Sequence, residues 1–495
     1  MNVRCLHRLA EIAPLRDAIN ALNLAAAHPD PFSTYEYYEN LLLHARTRPG
    51  HWRNRAWFLA VFADDRLVGY LALKQTTTRV LLRQVVTLGF LVGHDTDRPH
   101  VVATAADTPA VTAAIYEYLA RRGDWDLLEL QQQDAKSTLY PLPCAMRRCR
   151  VKDWPTLDNF TIPIRWRTLP AYFQSLAKKF RSEVRRGIRK LSAAGKLDLL
   201  TATDPAGTPI LLELYLAIEA HSWKSQANLT LSGDASRLRC VRGLLNPRQP
   251  MRIVIQILSL GGIPIAGLIC GSFASGGCRE LYALHVAYDD RCSELAPGSA
   301  ILLLGLRYAI EGGYALFNWL SGFGYYKTRW LAEETPTRAA QIYRIGRIPY
   351  WCRLLGDSRR WLKRRLGIWT QHGQDTKFNP ARRQLLQNAA SDEPVIGSTT
   401  TAVERERFAT LSAQARSAGC EHVSTAELAD ALPFSLRAHD ASGRLDDDTS
   451  AIKRDSARLP QSKRHNAAQA EQLADQHTQR RTDDTEAPHA EIAGE

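Results

Sequence analysis

The chain has 495 residues, with 64 Lys and Arg against 51 Asp and Glu and a net charge of +13. That length gives room for two or three domains with full cores and excludes a small stapled module. The charge favours an anionic partner, such as a nucleotide, a nucleic acid, an anionic lipid or a phosphate-bearing ligand, without choosing among them. Nine scattered cysteines without a C-x-x-C pair argue against both a disulfide framework and zinc. Reduced thiols and no metal are expected.

The start, "MNVRCLHRLAEIAPL", is basic but is interrupted by Glu11 and Pro14 before a signal-peptide core can form, so a cytoplasmic protein is expected. "AWFLAVFADDRLVGYLALKQ" then reads as strand, Asp-Asp turn and strand. "RQVVTLGFLVG" is a further strand, "TPAVTAAIYEYLARRG" a helix and "DWDLLEL" a strand. Next, "LPAYFQSLAKKFRSEVRRGIRKLSAAG" predicts a helix over 170–194. Phe173, Leu176, Phe180, Val184, Ile188 and Leu191 lie on one face, and Lys178, Lys179, Arg181, Arg185, Arg186, Arg189 and Lys190 on the other. The helix "TPILLELYLAIEAHSWKS" follows. "RIVIQILSLGGIPIAGLICGSF" is as apolar as a membrane span, but Gln256, Gly261-Gly262 and Pro264 interrupt it, and it reads as a buried hairpin. A strand (278–290), a helix from Pro297 and a strand from Tyr314 complete a second β-β-β-α-β series, so the chain reads as a tandem duplication. "WCRLLGDSRRWLKRRLGIW" places Trp351, Leu354, Leu355, Trp361, Leu362, Leu366 and Trp369 beside several Arg and Lys. This pattern suits either an interfacial helix on an anionic membrane or a helix closing on the protein body. From 373 the composition predicts a disordered tail with a transient helix around Thr401 to Ala418.

At the second strand-to-helix junction, "SELAPGSAILL", the small residues Ala296, Gly298, Ser299 and Ala300 surround Pro297. A helix start offers unpaired N–H groups and the positive end of the dipole, so small residues there suit an approaching phosphate. A plain helix start would read the same way. The surrounding pattern is more specific: Tyr282, Ala287, Tyr288, Asp289, Pro297, Gly298, Gly313, Gly322, Tyr326, Lys327 and Trp330, preceded by "KKFRSEVRRGIRKL" and by Glu219, Trp223 and Lys224 of "EAHSWK". Over about 169–330 the chain resembles the CelD/BioF-like acetyltransferase domain, a branch of the GNAT superfamily. Three positions depart from that pattern: Ala296 for Ser, Asn318 for Asp, and Phe323 to Tyr325 for an acidic triplet.

The resemblance implies an α/β (α+β) fold of two tandem GNAT-like domains, 1–165 and 166–350, with an inserted helical segment. A basic amphipathic helix over 351–372 and a mostly disordered tail over 373–495 complete the expected organisation. It also implies acyl transfer from acetyl-CoA or another acyl-CoA to an amine or hydroxyl acceptor, near bacterial polysaccharide, cellulose or envelope synthesis. Pro297, Gly298, Ser299 and Ala300 would receive the pyrophosphate. His285 or Glu219 would be the base, Tyr326 the acid and Lys327 the charge stabiliser, with Trp223, Lys224, Tyr282 and Trp330 binding substrate. His285 also reads as a core histidine, Tyr326 as packing and Glu219 as a surface carboxylate. Two alternatives stay open: a Fem-like transferase using aminoacyl-tRNA, and a non-catalytic scaffold of an exopolysaccharide complex. Nucleic acid is otherwise not expected as a partner, and peripheral contact with the inner membrane stays open beside a helix closing on the protein body.

Overall fold

The computed structural model describes residues 1–44, 52–80, 83–137, 139, 146–227, 229–322, 325–365 and 400–431. Residues 1–436 form one body; a second, 437–495, lies outside the described residues. The strands are β1 (Asn2–Leu6), β2 (Trp52–Ala63), β3 (Arg66–Val80), β4 (Arg83–Phe90), β5 (Val102–Ala103), β6 (Leu127–Asp134), β7 (Cys149–Pro155), β8 (Asn159–Pro163), β9 (Leu197–Ala202), β10 (Arg252–Leu260), β11 (Ile263–Ser275), β12 (Cys278–Tyr288), β13 (Leu316–Ser321), β14 (Glu333–Thr335), β15 (Thr337–Arg344) and β16 (Glu421–Ser424).

They form two mixed sheets. The first runs β1-β2-β3-β4-β6-β15-β7, with β5 on β3; the second runs β14-β8-β13-β12-β11-β10-β9-β16. Each is built on the repeated unit expected from the sequence. In each, an antiparallel hairpin and a third strand lead through a helix, Thr108–Arg121 or Pro297–Glu311, to a strand parallel to the third. The hairpin turns differ in chemistry but agree in shape. Asp64 and Asp65 take φ of 48° and 62°, and Gly261 and Gly262 take 56° and 80°, the left-handed pair that matches the twist of two-residue hairpins. The apolar run 253–273 is therefore β10 and β11, each strand facing a core on both sides.

The sheets exchange strands across the expected boundary at 165. β7 stays in the first sheet while β8 crosses to lie beside β13; β14 stays in the second while β15 returns to lie beside β6. The two halves thus close each other in the same way.

Three apolar cores separate the layers. Helix Thr108–Arg121 covers the outer face of the first sheet, with Val111, Ile115 and Leu119 inward. Helices Lys178–Ala193 and Pro297–Glu311 cover the outer face of the second. Between the sheets, Phe32, Tyr38, Phe58 and Tyr70 of the first half meet Leu214, Tyr215, Ile255, Ile269 and Tyr282 of the second. The expected helix over 170–194 is split into Leu169–Ser175 and Lys178–Ala193 by extended backbone at Leu176 and Ala177. All six expected inward residues are buried across that break.

Within the stretch from 373, residues 400–431 add to the second sheet. Thr401 and Glu404 form a capping box on helix Ala402–Ser417, which buries Phe408 and Ala415. β16 then pairs antiparallel with β9, and Leu428 of helix Thr425–Ala431 enters the outer core. The basic helix expected over 351–372 is described as Ile348–Arg365; its remainder lies outside the described residues.

Candidate functional site

The parallel strands β12 and β13 pair at Glu280–Leu316, Leu281–Phe317 and Tyr282–Asn318 and then separate. Both are irregular where they part. Against β11, Ala283 faces Cys270 and His285 faces Ile269, so Leu284 is the extra residue of a bulge. β13 shifts register after Asn318, and Leu320 takes φ 54°. Two partings at one point open a wedge between strands that the sheet would otherwise close.

Helix Pro297–Glu311 starts just past the end of β12. Ala296 precedes it in the left-handed region (φ 53°, ψ 45°) and supplies no side-chain cap. That conformation costs a non-glycine residue about 1 kcal/mol. The Ser299 and Ala300 amides turn back to the Ala296 carbonyl at 3.0 and 3.3 Å. A Cβ on Gly298 would lie 2.9 Å from the Tyr288 ring, and one on Gly187, in the basic helix, 2.8 Å from the Ala296 Cβ. Two glycines therefore let the basic helix and β12 close on this helix start, with exposed Arg186, Arg189 and Lys190 flanking Gly187. The positive end of the helix dipole and the cationic helix thus meet at this start, where the Ser299 and Ala300 amides are already turned to Ala296.

The loop after β4, "GHDTDRPH", enters the wedge from the first half and carries two carboxylates. Asp95 Oδ2 lies 3.3 Å from His285 Nε2 but off the line of a hydrogen bond. On the other side of the ring, Arg237 Nη2 is 3.3 Å from His285 Nδ1. Arginine can only donate, so Nδ1 accepts and the ring is neutral, with its N–H on Nε2. Burial pushes the Asp95 carboxyl up, but the neighbouring His285, His94 and Arg237 more than offset this and hold it below the ordinary carboxylate value.

Asp97, two residues on, forms a second centre. Its oxygens accept from Asn159 Nδ2 at 2.6 Å, Asn318 Nδ2 at 2.9 Å and Arg98 Nε at 3.1 Å. The Asn318 side-chain oxygen accepts from the Leu320 amide at 2.8 Å, replacing a strand bond lost at the parting. The departure from Asp at 318 thus has a structural partner, because a carboxylate already stands opposite, supplied by the other half.

The remaining expected residues fall around these centres. Glu219 is fully buried rather than on the surface. It accepts from the Leu231 amide at 2.6 Å and lies 3.3 Å from Lys224 Nζ, which is also 3.4 Å from the Tyr215 hydroxyl. Burial lowers the Lys224 pKa, partly offset by Glu219. Trp223 beside it is exposed. Tyr282 donates to Glu280 at 2.6 Å and meets Phe32 edge-on at 5.4 Å, packing the halves together. Trp330 is buried between Phe180 and Trp319. Tyr326 is exposed and stacked on Trp319. Lys327 is buried, and its Nζ donates to the Trp319, Leu320 and Ser321 carbonyls at 2.8, 3.1 and 3.2 Å. It clamps the backbone that β13 leaves unpaired, and burial brings its pKa down to about 8. His285, Glu219 and Lys224 therefore gather near the Asp95 loop, and Tyr326, Lys327 and Trp330 gather at the end of β13. Phe323 and Gly324 lie outside the described residues.

Sequence reasoning missed Asp95, Asp97, Asn159 and Arg237. The one available signal was the run of His and Asp directly after a strand. Among the described residues no three His, Cys, Asp or Glu side chains converge as a metal site, and no helix is long and apolar enough to cross a membrane.

No curated protein matches the chain. Among solved structures it is similar to FemX, with 12% identity, 69% of this chain and 97% of that one covered, and a TM-score of 0.45. It is also similar to L-PGS from Bacillus licheniformis, with 13% identity, 71% and 97% covered, and a TM-score of 0.40. A tandem GNAT protein from the clavulanic acid biosynthesis pathway shares 13% identity over 70% and 99% of the two chains, at a TM-score of 0.41. The family model for the acetyltransferase (GNAT) domain matches residues 178–328. From the basic helix through the parted strands to Lys327 and Thr328, the chain is thus similar to the acetyltransferase (GNAT) domain.

Proposed function

We propose that the chain transfers an acyl group, acetyl in the simplest case, from acyl-CoA to an amine or hydroxyl acceptor. The observation that carries this reading is the parting of β12 and β13 beside an uncapped helix start that a basic helix flanks, within the segment matched to the GNAT domain. The pyrophosphate rests on the Gly298, Ser299 and Ala300 backbone once the Ser299 and Ala300 amides turn from the Ala296 carbonyl, with Pro297 fixing the first turn, and the thioester enters the wedge. The acceptor's nitrogen or oxygen attacks the thioester carbon, and its proton passes to His285 Nδ1 once Arg237 turns away. The C–S bond then breaks and the thiolate takes a proton from Tyr326. Lys327 acts here through the β13 backbone that it holds. The resemblance to the CelD/BioF-like branch extends the reading to polysaccharide or envelope synthesis.

Calorimetry of the whole chain with acetyl-CoA and longer acyl-CoAs tests this, with Ser299→Glu as the control. An acidic residue near a helix start favours the helix while repelling a pyrophosphate, and Ser299 avoids the collision with Tyr288 that a side chain at 298 would meet. We expect saturable binding that the variant weakens by about tenfold or more. No binding to any acyl-CoA would overturn the reading and leave aminoacyl-tRNA as the donor to examine.

A further inference from the structure

We propose that the protein docks on an anionic lipid bilayer through the edge of its first sheet, a surface made by two segments some two hundred positions apart in the chain. One is the start of helix Ile348–Arg365, which leaves the end of β15. Its first turn is fixed to the body, with Arg347 donating to the Gly123 carbonyl at 2.8 Å and its own carbonyl accepting from the Trp351 amide. Beyond that turn Trp351 is 54% and Leu355 64% exposed, and Leu354 is exposed beside them. These positions are spaced by three and four, so one helix face presents apolar groups to water. The same helix carries Arg353, Arg359, Arg360, Lys363, Arg364 and Arg365 against a single Asp357.

The second segment is β7, the outermost strand. The Ile345 amide donates to the Arg148 carbonyl at 3.0 Å, and Val151 lies opposite Ile342. This places exposed Val151 and Ile345 next to the helix start, with exposed Arg147, Arg148 and Arg150 around them. Among the described residues none of these three arginines meets a carboxylate. On this strand Asp153 is already paired with Arg338. A basic edge strand also discourages strand pairing between molecules, but that need does not account for Trp and Leu turned to water on the adjoining helix. Exposed Trp, Leu, Ile and Val beside Arg147, Arg148 and Arg150 match the interface of an anionic bilayer, where the aliphatic groups leave water and the cations meet lipid phosphate. RNA would reward the cations and leave the aliphatic groups in water. No helix among the described residues is long and apolar enough to cross a membrane, and the proposed contact is with the bilayer surface through this patch.

The test is co-sedimentation of the full chain with vesicles of phosphatidylcholine, with or without phosphatidylglycerol. We expect binding only to the anionic vesicles, weakening with salt. The double variant Trp351→Ser with Leu355→Ser keeps every charge and should lower partitioning by at least about tenfold. Arg148→Gln with Arg150→Gln should weaken it and flatten its salt dependence. All four positions are exposed, so folding is preserved. Equal binding to neutral vesicles, full binding by the Trp351/Leu355 variant, or binding to polyuridylate without binding to vesicles would each overturn the proposal.

Discussion

Asn318 stands between two halves of the molecule, and its amide shows why one residue's identity depends on another far away in sequence. Its nitrogen donates to Asp97 at 2.9 Å while its oxygen holds the Leu320 amide, so both ends are used inside a site with no exposure to water. Replacing it by Asp would set two carboxylates against each other, and one would have to take a proton or the loop would have to move. Asn318→Asp is expected to lower stability by roughly 2–4 kcal/mol in urea unfolding. Combining it with Asp97→Asn reverses the donor and acceptor and should recover more than half of that loss; simple additivity of the two changes would show that the pair is not coupled. The helix start at Pro297 was legible because Pro, Gly and small residues are local signals. The carboxylates at 95 and 97 were not, because they reach the wedge from the other repeat and nothing in their neighbours' periodicity points there. Glu219 misled for a related reason: at the end of a helix it looks solvent-facing, and only the contacts from Lys224 and the Leu231 amide make it a buried anchor.

Among the elements, β16 and its flanking helices were the ones composition concealed. The capping pattern Thr401 to Glu404 is present in the sequence, yet a polar, alanine-rich context gave no periodic face to go with it. The helix is held by few apolar groups, chiefly Phe408, while β16 covers the edge of β9 and Thr425 exchanges hydrogen bonds with the Leu197 backbone at 2.6 and 2.7 Å. A chain ending at 373 loses all of this. Burial of one Phe side chain is worth about 2–3 kcal/mol, and an uncovered β9 becomes a template for a second molecule. The shortened chain is expected to melt several degrees lower and to scatter more light than the full chain at the same concentration. An unchanged melting temperature would mean that residues 400–431 add nothing to the body. The repeated hairpins, by contrast, were readable from period-two apolar runs and paired turn residues, since both signals are local.

At the scale of the whole molecule the exchanged strands decide how the protein holds together. Removing the second half would take β15 out of the first sheet and leave β6 beside a gap; removing the first would take β8 from between β13 and β14. The middle core adds to this, since Phe32, Tyr70, Tyr215 and Tyr282 are buried only while both sheets are present. Polar links cross at the same level: Asp95 to His285, and Asp97 to Asn159 and Asn318. The sequence showed two repeats and suggested two domains, because strand exchange depends on partners chosen far along the chain, which no local pattern in β7, β8, β14 or β15 marks. If each half were complete, denaturant would unfold them in two steps. The exchange instead predicts one transition for the body 1–436. Tryptophan fluorescence, which samples Trp57 and Trp125 in the first half and Trp319 and Trp330 in the second, should coincide with far-ultraviolet circular dichroism along a urea series. Two separated transitions would show that each sheet stands without its borrowed strand, and the coupling of the loop at Asp95 to the wedge would then lack the rigid frame that holds it.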